Sequence, residues 1–93
     1  RKTEALMSKV IKPLSTELAL SSSVGNTVSS ATMVRVVNLS AGDLTITRSD
    51  SSNTKIGTFS MFTDSEAYVR KDATDVLFAS GAGANATSIA ILD

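Results

Sequence analysis

A chain of 93 residues with nine basic and nine acidic side chains carries no net charge, which disfavours a phosphate-neutralising groove and with it nucleic-acid binding. It has no Cys and no His, so disulfides and the usual thiolate and imidazole ligands for zinc are missing. Packing, or contact with partners, must then supply the stability of what reads as one small domain.

Ser and Thr are abundant, Ala and Val dominate the apolar set, and the aromatics are Tyr68, Phe59, Phe62 and Phe78. Such small, β-favouring side chains predict an extended, strand-rich chain. No apolar run approaches the ~20 residues that cross a bilayer, so no membrane partner is expected. The N-terminal "RKTEALMSKVIKP" lacks the continuous apolar core of a signal peptide.

Residues 1–15 read as an N-terminal extended arm and 16–93 as the folded domain. A helical turn over "TEALMSKVI", capped by Thr3 and stopped near Lys12 by Pro13, is the alternative for the arm. From Thr16 onward the period is two. "TELAL" (16–20) sets Leu18 and Leu20 on one face. "SSSVGNTVSS" (21–30) is turn-rich, with Gly25-Asn26 as its tight point. "TMVRVVNLS" (32–40) puts Val34 and Val36 on one face, and Met33, Arg35 and Val37 on the other. "AGD" (41–43) is a turn, and "LTITR" (44–48) places Leu44, Ile46 and Arg48 opposite Thr45 and Thr47.

After the polar loop "SDSSNT" comes "KIGTFSMF" (55–62), apolar on both sides, which suits a central strand or an interface. "AYVRK" (67–71), the turn "DATD" (72–75) and "VLFAS" (76–80) follow. "GAGANAT" (81–87) reads as a flexible hairpin loop before a last strand, "SIAIL" (88–92), with Ile89 and Ile91 paired on one face. About seven short strands with a turn every ten residues or so predict an all-β fold: a single small antiparallel β-sandwich of immunoglobulin-like size. A small barrel is the alternative.

The chemical inventory is thin. A nucleophilic Ser has no His as its base and no G-x-S-x-G elbow; Lys9, Lys12, Lys55 and Lys71 leave only a formal Ser–Lys dyad. Glu66, Asp72 and Asp75, with Asp64 before them, would serve acid–base work only with two of them flanking one pocket. As turn residues they bond instead to their own backbone. "DSSN" (50–53) and Asp43 offer oxygen ligands without calcium-loop spacing. The lone G-x-G of "GAGAN" precedes a strand, not the helix of a dinucleotide site. Asn38 and Asn85 begin N-x-S/T sequons that read as accidental. No enzyme activity, cofactor, metal or small-molecule substrate is expected. Arg35, Arg48, Arg70, Lys71 and Asp75 form a candidate interface, against the alternative of solvated strand faces and a charged corner.

One pattern runs across residues 10–93: "KPLSTELALSS", "VRVVNLSAGDLTITR", "IGTFSMF" and "EAYVRKDATDVLFAS". It resembles small virion structural proteins of tailed bacteriophages, of the marine and cyanobacterial type. The counterparts here are Val34 to Asn38, then Glu66, Lys71, Asp75, Ala79 and Ser80. The resemblance implies a non-enzymatic decoration, or cement, protein on the outside of a capsid. Its partners would be the major capsid protein, neighbouring copies of itself, or both. A tail, neck or fibre-associated sandwich of the same virion, or a carbohydrate- or receptor-binding module, are the competing expectations.

Overall fold

The computed structural model describes residues 10–92, which build two antiparallel sheets packed face to face. The strands are β1 (Val10–Pro13), β2 (Leu18–Ala19), β3 (Met33–Asn38), β4 (Leu44–Ser49), β5 (Lys55–Met61), β6 (Glu66–Arg70), β7 (Val76–Ala79) and β8 (Ala84–Leu92). One sheet runs β1-β8-β3-β6, with β2 also on β8; the other runs β5-β4-β7. The expected all-β sandwich is therefore the fold. The arm assigned to residues 1–15 is not wholly an arm, because β1 pairs with the C-terminal half of β8 from Val10↔Leu92 to Pro13↔Ile89. Residues 1–9 of that arm, and with them most of the alternative helical turn, lie outside the described residues.

The period-two reading accounts for the core. Val34 and Val36 of β3 are fully buried and meet Leu44 and Ile46 of β4, with Leu20, Met61 and Leu77 closing the layer. Alternation puts every second side chain on the inner face, and burying each such aliphatic stabilises by about 1.5–3 kcal/mol. Val28 also reaches the core, from an unusual backbone. Val28, Ser29 and Ser30 all have positive φ (55°, 60° and 56°), and Ala31 N–H closes the turn on the Thr27 carbonyl at 3.2 Å. A β-branched residue pays a steric cost in that region, which the complete burial of the Val28 side chain offsets.

The loop expected over 81–87 is shorter, because β8 begins at Ala84 and pairs with β3 from Asn38↔Ala84 onward. Ala and Asn carry little strand propensity, but Ala84 and Ala86 are fully buried where β8 lies beneath the other sheet. Gly83 makes the entry. Its φ is +112°, and a Cβ there would lie 2.6 Å from Ser40 Cβ and 3.0 Å from Ser40 backbone atoms. Gly83→Ala is expected to destabilise by about 2–4 kcal/mol, from forbidden backbone and collision together. Denaturant midpoints would measure this, and a change below about 0.5 kcal/mol would contradict it.

The strand expected to be central or interfacial, β5, is an edge. Among the described residues it pairs only with β4, and a bulge sets Arg48 opposite Gly57 but Ser49 opposite Lys55.

Candidate functional site

The five candidate interface residues separate into two groups. Lys71 and Asp75 are 3 % and 4 % exposed, so they do not present a contact surface. The strand–turn–strand corner is as expected, with Asp75 bonded to the turn's own backbone, but its Lys71 and Asp75 are buried where a solvated charge cluster was the expectation. Asp75 Oδ2 accepts from Arg48 Nη1 at 3.0 Å and from the Asp72 backbone N–H at 3.1 Å. Arg48 sits on the inward-facing side of β4 with Leu44 and Ile46, and its register partner Leu77 lies two residues beyond Asp75. An arginine among core positions thus reaches a carboxylate at the sandwich margin, where both groups are charge-assisted hydrogen-bond partners.

Lys71 fixes the opposite side of the same corner. Its Nζ donates to the Ala31 carbonyl at 2.7 Å and to the Asp72 carbonyl at 3.3 Å, and its backbone N–H donates to Thr32. It thereby clamps the left-handed 28–30 turn against the 72–75 turn. Burial pushes the Lys71 amine below its ordinary 10.5, opposed by the nearby carboxylates of Asp75 and Asp72. The chemistry is structural, since an ammonium satisfied by carbonyls needs no reacting partner.

Arg35 and Arg70 remain on the surface. Arg35 Nε binds Glu66 Oε1 at 2.7 Å, across the β3–β6 pair. Exposed pairs of this kind contribute little to stability, so Arg35 stays available for contact. Arg35 lies opposite Tyr68, and Arg70 opposite Met33, on the outer face of the larger sheet. A shallow groove of about 260 Å³ opens at that face's end, lined by Arg35, Val37, Leu39, Asp64, Ser65 and Glu66. A second depression, of about 300 Å³, lies on the outer face of the smaller sheet among hydroxyls: Thr45, Thr47, Ser49 and Ser80, beside Phe78.

Three exposed side chains at the smaller sheet's edge were not among the candidates. Ile56 is 47 % exposed, Phe59 37 % and Phe62 70 %. The sequence signal for them was the apolar character on both sides of "KIGTFSMF", since a half-buried strand needs only one apolar face. Of the sequons, Asn38 is fully buried with its Nδ2 donating to the carbonyls of Gly42 and Met61, each at 3.0 Å, so the folded chain offers no acceptor there. Among the described residues no group of three His, Cys, Asp or Glu side chains is placed to hold a metal ion. No family model matches this chain, and neither a curated protein nor a solved structure matches it.

Proposed function

We propose that this chain is a non-enzymatic structural protein of a virion, and that it decorates the outer surface of a mature head shell. The reading rests on the resemblance that runs from Val34–Asn38 through Glu66, Lys71 and Asp75 to Ala79-Ser80. The structural observation that carries it is the large apolar side chains left exposed on a small sandwich of zero net charge, Leu39 and Tyr68 on the larger sheet's side and Ile56, Phe59 and Phe62 at the smaller sheet's edge. Exposed apolar side chains that gather in a patch mark contact with another protein, and Ile56, Phe59 and Phe62 lie close in sequence along the β5 edge. Arg35 and Arg70, on the same face as Tyr68, supply the charged rim of such a contact. Many weak copies held on a repeating lattice gain avidity without a tight single site.

The test is co-sedimentation of the purified protein with empty, expanded heads and with isolated tails. Saturable binding to heads at hundreds of copies is expected, reduced at least tenfold by Arg35→Glu with Tyr68→Ala. Binding to tails alone, or at a few copies per particle, would move the protein to the neck, tail or fibre. Binding to neither would sink the virion reading. The hydroxyl-lined depression beside Phe78 would then be the place to test glycans, because an aromatic face beside hydroxyls suits a sugar.

A further inference from the structure

Among the described residues, the outer strands of the two sheets differ in how they are guarded. On the larger sheet, β1 carries Lys12 and ends in Pro13, and β6 has Glu66 and Arg70 at its two ends. On the smaller sheet, the free side of β7 is covered by the 21–26 segment: Asn26 and Leu77 exchange N–H···O=C bonds at 3.2 and 2.9 Å, and Ala79 N–H donates to Ser21 at 3.1 Å. Charges, prolines and covering segments are the usual means by which an edge is kept from pairing. The β5 edge has Lys55 and the bulge at Ile56, both at its very start. From Gly57 to Met61 it is regular and carries no charge, and among the described residues it pairs on one side only, with β4.

We infer that β5 pairs with β5 of a second copy of this chain, antiparallel, about a dyad at Phe59. The sequence of the strand is complementary to itself in that register. Phe59 meets Phe59 of the second copy, Thr58 meets Ser60, and Gly57 meets Met61. Just outside the regular stretch, Ile56 comes beside Phe62. Apolar residues therefore meet apolar residues, hydroxyls meet hydroxyls, and Lys55 lies far from its own image. Gly57 suits the position, because nothing lies within 4 Å of where its Cβ would be, leaving room for the methionine and aromatic side chains of the partner. A dyad at Thr58 would instead run the pairing into the bulge at Ile56 and set Met61 against Lys55.

Phe59 lies opposite Ile46 in the β4–β5 register, on the face shared with the buried Met61. Its ring overhangs the open side of the core. Pairing would cover it and merge two three-stranded sheets into one continuous sheet with a shared inner face. A twofold axis closes the assembly, because the same β5 edge of each copy is used up in the pair. The contact is smaller than the ~1,600 Å² of a standard interface, so the dimer should dissociate in the micromolar range.

This inference does not depend on a virion role, and its test uses the purified chain with no shell present. Sedimentation velocity from roughly 5 to 500 µM should show a monomer–dimer equilibrium. Thr58→Lys, at an exposed position, should weaken dimerisation at least tenfold while circular dichroism stays unchanged. The chain has no cysteine, so single-cysteine variants report position directly. Phe59→Cys should oxidise to a covalent dimer, since directly opposed Cα atoms lie about 4.5–5.5 Å apart. Lys55→Cys, about 25 Å from its image in this register, should not. A wild type that stays monomeric throughout, a dimer indifferent to Thr58→Lys, or Lys55→Cys cross-linking as readily as Phe59→Cys would each overturn the inference.

Discussion

Asn38→Ala is expected to be the most damaging single substitution in the protein, costing about 3–5 kcal/mol. Asn38 is fully buried at the end of β3, and every polar atom it has is used. Its Nδ2 donates to Gly42 and Met61, and its Oδ1 accepts from the Ser40 N–H at 2.9 Å and the Ser40 hydroxyl at 2.6 Å. Its backbone N–H donates to Ser65, and its carbonyl accepts from Asp64. One side chain thus joins the 38–43 turn to the last residue of β5, and one backbone unit joins β3 to the 62–65 loop. Alanine leaves the Met61 carbonyl without this partner in the buried interior and takes the acceptor from the half-buried Ser40 amide, while the Gly42 carbonyl keeps the Ser40 hydroxyl as a donor. Each orphaned group costs roughly 1–3 kcal/mol. The loss is a large part of the ~5–15 kcal/mol that holds a domain of this kind together. Asn38→Asp separates the parts: it keeps the acceptor for Ser40 but turns a carboxylate toward two carbonyls, and should be no better than alanine at neutral pH. Chemical denaturation of the three proteins decides the matter, and a loss below about 1 kcal/mol for Asn38→Ala would remove Asn38 from its central place.

Asn38 also marks where sequence reading stops. Alternation named the inward faces of β3 and β4 because Val34, Val36, Leu44 and Ile46 follow the strand period, and that period is a property of the backbone. It has no means of showing that a polar residue next in line turns inward and is satisfied by segments four and twenty-three residues away. The same holds for Lys71 and Asp75. A stretch dense in charge reads as solvated, since lysine and aspartate are rarely buried. What buries them is the 28–31 turn, whose left-handed backbone carries no glycine to announce it. Ala84 and Ala86 failed in the other direction, because poor strand formers were chosen for volume where the two sheets approach. The edge at β5 was half legible. Apolar side chains on both faces told of something beyond one core, but whether a strand is central or terminal depends on sheet order, which a single sequence does not encode.

Asp75→Ala is expected to cost about 2–4 kcal/mol, much more than a charged surface corner would lose. Removing the carboxylate strands the Arg48 guanidinium on the inner side of β4 and frees the Asp72 amide. It also takes away the stronger of the two negative charges that oppose desolvation of Lys71. Lys71→Met should cost less, because it removes the buried ammonium together with its desolvation penalty and keeps the apolar stem. The double variant should then be less damaged than the sum of the two, as groups in one network are not independent. Titration supplies a second readout. Burial lowers the Lys71 pKa in the folded state relative to the 10.5 of the unfolded chain. Below the lowered value both states hold the proton, and the cost of the buried charge is present in full. Between that value and 10.5 the unfolded chain binds more protons, so stability rises with pH. Wild type should therefore gain on Lys71→Met as the pH is raised toward 10.5. A difference between the two proteins that stays flat over this range would show that Lys71 is as solvated folded as unfolded. The clamp between the 28–31 and 72–75 turns would then have to be sought in the backbone bonds alone.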